Sequence, residues 1–296
     1  MIELHTTKDI EKISLEILKA SKSWDVLPTP VDRIVSFREL VVRDDIDIST
    51  IHESYKEKTC NILRKAVSKI RGILDRRHRI IYLDLSKMSS RKNFVKLHEV
   101  GHEALTWQKE IYEILEDDDI SLNDYHNEEF EAEANYFASV TLFQHDRFIS
   151  ELNKLILGIE SAMQLSKLFG SSVHAALRRY VECSANRCAL IVLENMSPHG
   201  SFPKCSKRDL FLSNKFSETF GNIELPDELG YKWAFVKDYY HKKKFKLDGL
   251  ISLSTENGEA DFHYHFFDNS YNAFVFLFPV GEKKSSRTKI IISESI

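Results

Sequence analysis

Apolar residues recur at helical spacing through the first half of the chain and in short clustered runs through its last third. In "TTKDIEKISLEILKA", residues 6–20, Ile10, Ile13, Ile17 and Leu18 fall three and four apart, and Thr6 with Asp9 three residues on has the form of a helix N-cap. The two prolines of "LPTPVDRIV" break and restart that pattern. A second long helix is expected from about Thr50, with Ile51, Tyr55, Ile62, Ala66 and Ile70 on one face. The period then shortens. "GILDRRHRIIYLDLS" reads as two short strands around a charged turn, the second built on Ile80, Ile81, Tyr82 and Leu83. "SSRKNFVKLHEVGHEALTW" returns to helical spacing through Phe94, Leu97, Gly101 and Leu105. "NEEFEAEANYFASVTLF" repeats it, with Asn127 as cap and Phe130, Ala134, Phe137 and Ala138 as the apolar stripe.

Further on, "SKLFGSSVHAALRRYVE" predicts a short helix, a Gly-Ser-Ser turn and a second helix carrying Ala176, Leu177 and Tyr180. From about Cys188 the texture changes. "RCALIVLENM", "KWAFVKDYY", "LDGLISLS", "ADFHYHFF", "NAFVFLFPV" and "TKIIISES" are short β-rich runs between turn-like pieces such as "SPHGSFP" and "ENGE". The expected class is α+β in three parts: a helix-rich domain with a small sheet over 1–150, a helical region over 151–188 and a β-rich domain over 189–296.

Composition agrees with a folded chain. Of 296 residues, 43% are hydrophobic and 29% charged, with only 10 Gly and 6 Pro, which excludes disordered and fibrous classes. The net charge of -4 argues against a surface that binds nucleic acid indiscriminately. Cys60, Cys183, Cys188 and Cys205 are too scattered for a disulfide scaffold or a four-cysteine zinc ribbon, so a reducing compartment and buried thiols are expected. The N-terminus has charges throughout, and no run approaches the roughly 18 apolar residues of a membrane span. A soluble, cytoplasmic protein with no membrane partner is expected.

The chemistry concentrates in "KLHEVGHEAL", residues 96–105. On a helix, His98 and His102 lie one above the other and aim two imidazoles at a common point, while Glu99 sits one step round. A catalytic zinc needs a third protein ligand and an open position for water. The next helix offers Glu131 as that ligand, and Asn135, one turn on, to hydrogen-bond a ligating histidine from behind. Glu133 is expected to point elsewhere, about 200° round from Glu131 at about 100° per residue. Glu99 is placed where a carboxylate reaches a metal-bound water, and Tyr125 and His126, near the second helix in sequence, are candidate hydrogen-bond donors to an oxyanion. A His-Glu-x-x-His pattern by itself also arises by chance on surface helices. The helical setting, the glycine at 101 and the Glu-x-x-x-Asn helix that follows make this one specific.

The blocks "PTPVDRI", "RRHRIIYLDLS", "FVKLHEVGHEAL" and "EAEANYFA", in this order, resemble the ImmA/IrrE family of zinc metallopeptidases over roughly residues 25–180. The resemblance implies a thermolysin-like zincin core, Zn2+ on His98, His102 and Glu131, and Glu99 as the base. It further implies a partner repressor with a helix-turn-helix DNA-binding domain as substrate, a helix-turn-helix-like region after the core, and derepression of silenced genes as the outcome. The longer members suggest a GAF-like sensor domain at the C-terminus. The architecture also resembles the CapP type, associated with anti-phage operons, whose C-terminal domain implies single-stranded DNA as a stress signal. In this chain Lys242, Lys243 and Lys244 beside Tyr240 would be that surface, since cations with aromatic rings hold phosphates and stack bases. A lysine run is equally a solvated edge, and a small-molecule sensor is the rival. The alternative to an enzyme is a non-proteolytic sensor or anti-repressor that binds its repressor and keeps a structural metal. Glu99 favours the enzyme, because a structural site has no use for a general base.

Overall fold

The computed structural model describes residues 5–44, 72–76, 78–83, 89–108, 111, 124–197 and 203–282. The expected helix from Thr50 and the expected strand "TKIIISES" lie outside the described residues. The chain divides into two compact units, Met1–Phe148 with Lys167–Ser172, and Ile149–Ser166 with Val173–Ile296.

In the first unit, α1 (Thr7–Ala20) follows the predicted stripe and buries Ile10, Ile17 and Leu18. Thr6 stands at its N-cap but makes no capping bond. Its hydroxyl instead donates to Glu133 Oε1 at 2.5 Å, across the unit. After α2 (Val31–Phe37) comes a three-stranded sheet of β1 (Val41–Arg43), β2 (Gly72–Asp75) and β3 (Ile80–Leu83). The order is β1-β3-β2, with β3 antiparallel to β2 and parallel to β1. The hairpin is the one expected, whereas β1 is too short for any alternation to register. Helices α3 (Ser89–Ala104) and α4 (Asp124–Leu142) then pack on each other and close the core with Leu97, Val100, Phe137 and Ala138. Gly101 permits their close approach. A Cβ there would stand 3.1 Å from the Phe137 ring and 3.3 Å from the Ala134 Cα, so α3 and α4 touch backbone to backbone beside the two histidines.

Helices α5 (Asp146–Leu152) and α6 (Ile159–Phe169) contribute residues to both units. The second unit holds α7 (Val173–Cys183) and a six-stranded antiparallel sheet. Its strands are β4 (Ala189–Glu194), β5 (Lys204–Leu212), β6 (Glu228–Gly230), β7 (Phe245–Thr255), β8 (Gly258–Asp268) and β9 (Ala273–Pro279), in the order β6-β5-β4-β9-β8-β7. β4 and β9 lie at the centre and, apart from Glu194 at the end of β4, are apolar throughout, as strands covered on both faces must be. One face carries α8 (Asn214–Phe220) and α9 (Ala234–Tyr240), whose Phe216, Phe235 and Val236 pack with Phe262, Tyr264 and Phe266. The other carries α7, with Tyr180 edge-on to Phe276 at 5.4 Å and His174 at 5.4 Å from Phe274.

One sequence expectation is corrected here. "KWAFVKDYY" is α9, not a strand: Phe235, Val236 and Tyr239 fall at helical spacing and turn to the core together. β5 and α8 went unpredicted. β5 is partly exposed along most of its length and so alternates weakly, while α8 is a seven-residue helix started by the Ser213 hydroxyl accepting from the Phe216 N–H.

Candidate metal centre

The register of α3 is fixed by Leu97, Val100, Ala104 and Leu105, all buried, and this turns His98 and His102 towards α4. Their imidazoles meet edge to face at 4.7 Å between centroids. Helix α4 is anchored by Phe130, Ala134, Phe137 and Ala138, and presents Glu131 to the histidines. His98 Nε2 lies 3.2 Å from Glu131 Oε2, His102 Nε2 lies 3.3 Å from Glu131 Oε1, and the two Nε2 atoms are 3.1 Å apart.

Behind the trio, each ring is held from its other nitrogen. His98 Nδ1 is 3.2 Å from Asn135 Oδ1, and His102 Nδ1 is 2.9 Å from Gln108 Oε1. With Nδ1 facing an amide oxygen, each Nε2 offers a lone pair to the centre, where the Glu131 oxygens add more. Acceptors converging this closely repel one another unless a proton or a cation stands between them. The separations of 3.1 to 3.3 Å are close to the spacing of about 3.3 Å that tetrahedral geometry imposes on ligand atoms at zinc bond lengths of about 2.0–2.1 Å. The residues therefore fit a zinc ion.

The electrostatics carry the same message. Burial disfavours a charge on His98, but Glu131, Glu99 and Asn135 outweigh it and raise the ring above its ordinary value. Burial likewise opposes ionisation of Glu131, yet bonds to His102 and His98 hold its carboxyl well below the usual range. Glu99 is pushed up by burial, with the two imidazoles pulling the other way. It is 3% exposed, and its Oε1 makes no hydrogen bond among the described residues.

Of the residues singled out in the sequence, the structure brings His98, His102, Glu131 and Asn135 together, with Glu99 next to His98 on α3. Tyr125 and His126 fall on α4, but their side chains lie outside the described residues. Gln108 was missed, and Glu133 was expected to point elsewhere than Glu131. Glu133 does lie on a different side of α4 from Glu131, but from there it accepts from Gln108 Nε2 at 2.7 Å and from Trp107 Nε1 at 2.8 Å. No spacing rule marks a glutamine six positions beyond a ligand; burial, with Gln108 at 0% and Glu133 at 2% exposed, is what reveals them.

In the second unit the lysine run is largely committed. Lys243 and Lys246 pair with buried Asp238 at 2.7 and 3.3 Å, and Lys244 lies 3.5 Å from Asp268. Among the described residues Lys242 is the member of the run with no ion pair, and Tyr240 packs edge-on to Tyr231 at 5.7 Å. Arg178 is bound to Glu182 and lies over the Phe211 ring, and Arg179 also faces Glu182, so the arginine pair is spent within its own unit. Cys188 and Cys205 are buried, which pushes both thiols up to about 12, and Cys60 lies outside the described residues.

Two histidines one helical turn apart on one helix and a glutamate on the next form a group that could hold a single metal ion, with the buried carboxylate of Glu99 beside them. Residues 46–180 match the family model described as the IrrE N-terminal-like domain, peptidase M78. Among solved structures, the chain is similar to a Mycobacterium tuberculosis transcriptional regulator at 13% identity and a TM-score of 0.52, covering 91% of this chain and 75% of that one. That likeness is one of fold. No curated protein sequence matches the chain. No helix among the described residues is long and apolar enough to cross a membrane.

Proposed function

We propose that the chain is a zinc-dependent endopeptidase that cleaves a helix-turn-helix transcriptional repressor, with a thermolysin-like core over 1–150, a helical region over 151–188 and a GAF-like sensor domain over 189–296. The observation that carries the reading is the convergence of His98, His102 and Glu131, each approaching the other two to 3.3 Å or less, beside a buried Glu99 oxygen that has no hydrogen-bond partner among the described residues. When bound, a zinc ion supplies Lewis acidity, polarising a peptide carbonyl and making water acidic enough to ionise near neutral pH. Glu99 accepts the proton from the attacking water and returns it to the leaving amine. Its burial suits it to both, since a carboxyl raised above its usual range holds a proton long enough to hand it on. A structural metal site in a pure binding protein leaves such a carboxylate without employment. For this reason the non-proteolytic anti-repressor is the weaker reading.

The regulator among the solved structures and the family of the first domain support a transcription regulator as the partner. A sensory role for the second unit is supported by its surface cavity of about 630 Å³, lined by Lys207, Leu210, Leu212, Ser217, Asn222 and Glu256 among others. A small molecule suits this unit better than single-stranded DNA, because Asp238 and Asp268 neutralise Lys243, Lys244 and Lys246. The test is co-expression with a helix-turn-helix repressor encoded beside the gene. Wild type yields repressor fragments, while Glu99→Gln and His98→Ala leave the repressor intact, with a loss of about 10²-fold or more for Glu99→Gln. Fragments that persist with Glu99→Gln remove this mechanism.

A further inference from the structure

We infer that Gln108 is a positioning residue for the metal centre: its amide is locked in one orientation, and this fixes which nitrogen of His102 is offered to the cation. The inference rests on the metal-site reading above and deepens it. Gln108 lies just beyond α3, fully buried, and its amide meets three groups: His102 Nδ1 at 2.9 Å, the Phe130 carbonyl oxygen at 3.2 Å and Glu133 Oε2 at 2.7 Å.

The orientation follows from what each neighbour is able to do. A backbone carbonyl only accepts, so the Gln108 atom facing Phe130 is the NH2 group. Glu133 Oε2 already accepts from the Trp107 indole N–H, which only donates, and so it too takes a hydrogen from that NH2. Both amide hydrogens are then used. The carbonyl end of Gln108 is left facing His102, where it only accepts, and His102 must carry its hydrogen on Nδ1. In the neutral ring, the form that binds a metal, Nε2 is then the bare nitrogen, and this is the atom 3.3 Å from Glu131 and 3.1 Å from His98 Nε2.

Glu133 is itself held at its other oxygen by Thr6, so the chain of bonds runs from the start of α1 through α4 to the ligand on α3. His98 has no comparable device. Asn135 is exposed, and among the described residues its amide has no second partner fixing which end faces the ring. The two ligands should therefore differ in how strongly they depend on the amide behind them.

The test uses the full chain and zinc itself as the probe. Zinc affinity is measured by chelator competition, and the His102 Nδ1–H proton is followed by NMR in the zinc-loaded protein. In wild type that proton is protected from solvent exchange. Gln108→Met, close in size but unable to accept from the ring, should bind zinc about 10–100-fold more weakly and lose the protection, whereas Asn135→Ala should cost less than Gln108→Met. Should Gln108→Met fail to fold, the imidazole 15N shifts of zinc-loaded wild type decide instead: His102 is expected to carry its proton on Nδ1 and to bind zinc through Nε2. Zinc binding by folded Gln108→Met within about twofold of wild type, or zinc-loaded wild type in which His102 carries its proton on Nε2 and binds through Nδ1, overturns the role of Gln108 and leaves the metal site standing. Wild type that is folded and takes up no zinc overturns both.

Discussion

At the scale of single residues, buried polar groups carry most of the account, and two outside the metal centre give independent checks. Asp238 is 4% exposed and accepts from Lys243, Lys246 and the Tyr264 hydroxyl. Burial opposes its charge, but these three partners hold its carboxyl below the usual range. Asp238→Ala leaves the Tyr264 hydroxyl, a buried group, without its acceptor, and should lower the stability of the chain by about 1–3 kcal/mol in urea titrations. An unchanged midpoint would show that the cluster is incidental. His174 is depressed from 6.5 to about 4, first by burial and then by Arg208 and Arg178. Because the folded state favours the neutral ring, the unfolded chain takes up a proton near pH 6.5 that the folded chain refuses until about pH 4, and stability falls as pH drops through that window. His174→Phe should accordingly lose less stability than wild type between pH 7 and pH 5. Equal losses would mean that His174 is not a source of the acid sensitivity.

Among elements, the contact of α3 with α4 is the one on which the site depends, and Gly101 makes it. A side chain there meets the Ala134 backbone at 3.3 Å, which cannot swing aside as a flexible side chain does. Gly101→Val should cost about 1–3 kcal/mol through overpacking and, by parting the two helices, weaken zinc binding. A variant with wild-type melting and wild-type zinc affinity would contradict this picture of the interface. The same pair of helices shows what the sequence makes legible. His98, His102, Glu131 and Asn135 obey a single rule, the rise of one turn per four residues, so their convergence is readable once both helices are. Gln108 and Glu133 obey no such rule. They are brought together by the chain path beyond α3 and by the side of α4 turned away from the metal ligands, and burial is a property of the fold. In the second unit β4 and β9 are legible because both their faces are covered. "KWAFVKDYY" misleads because four aromatic residues in nine look β-rich while the apolar spacing is that of a helix. β5 hides because partial exposure blurs its alternation.

For the whole molecule, the metal centre and the helices that build it belong to one compact unit, and the six-stranded sheet with its cavity to the other. The proposed substitutions divide in the same way: those at 98, 99, 101, 108 and 135 fall in the first unit, and those at 174 and 238 in the second. What unites the account is the cation at the convergence of three side chains. X-ray anomalous scattering at the zinc edge, from crystals of the protein purified in zinc-replete medium, tests it most directly. The account predicts a single strong peak at about 2.0–2.2 Å from His98 Nε2, His102 Nε2 and a Glu131 carboxylate oxygen. A map with no peak there, with the Glu131 side chain turned away from the two imidazoles, would contradict it.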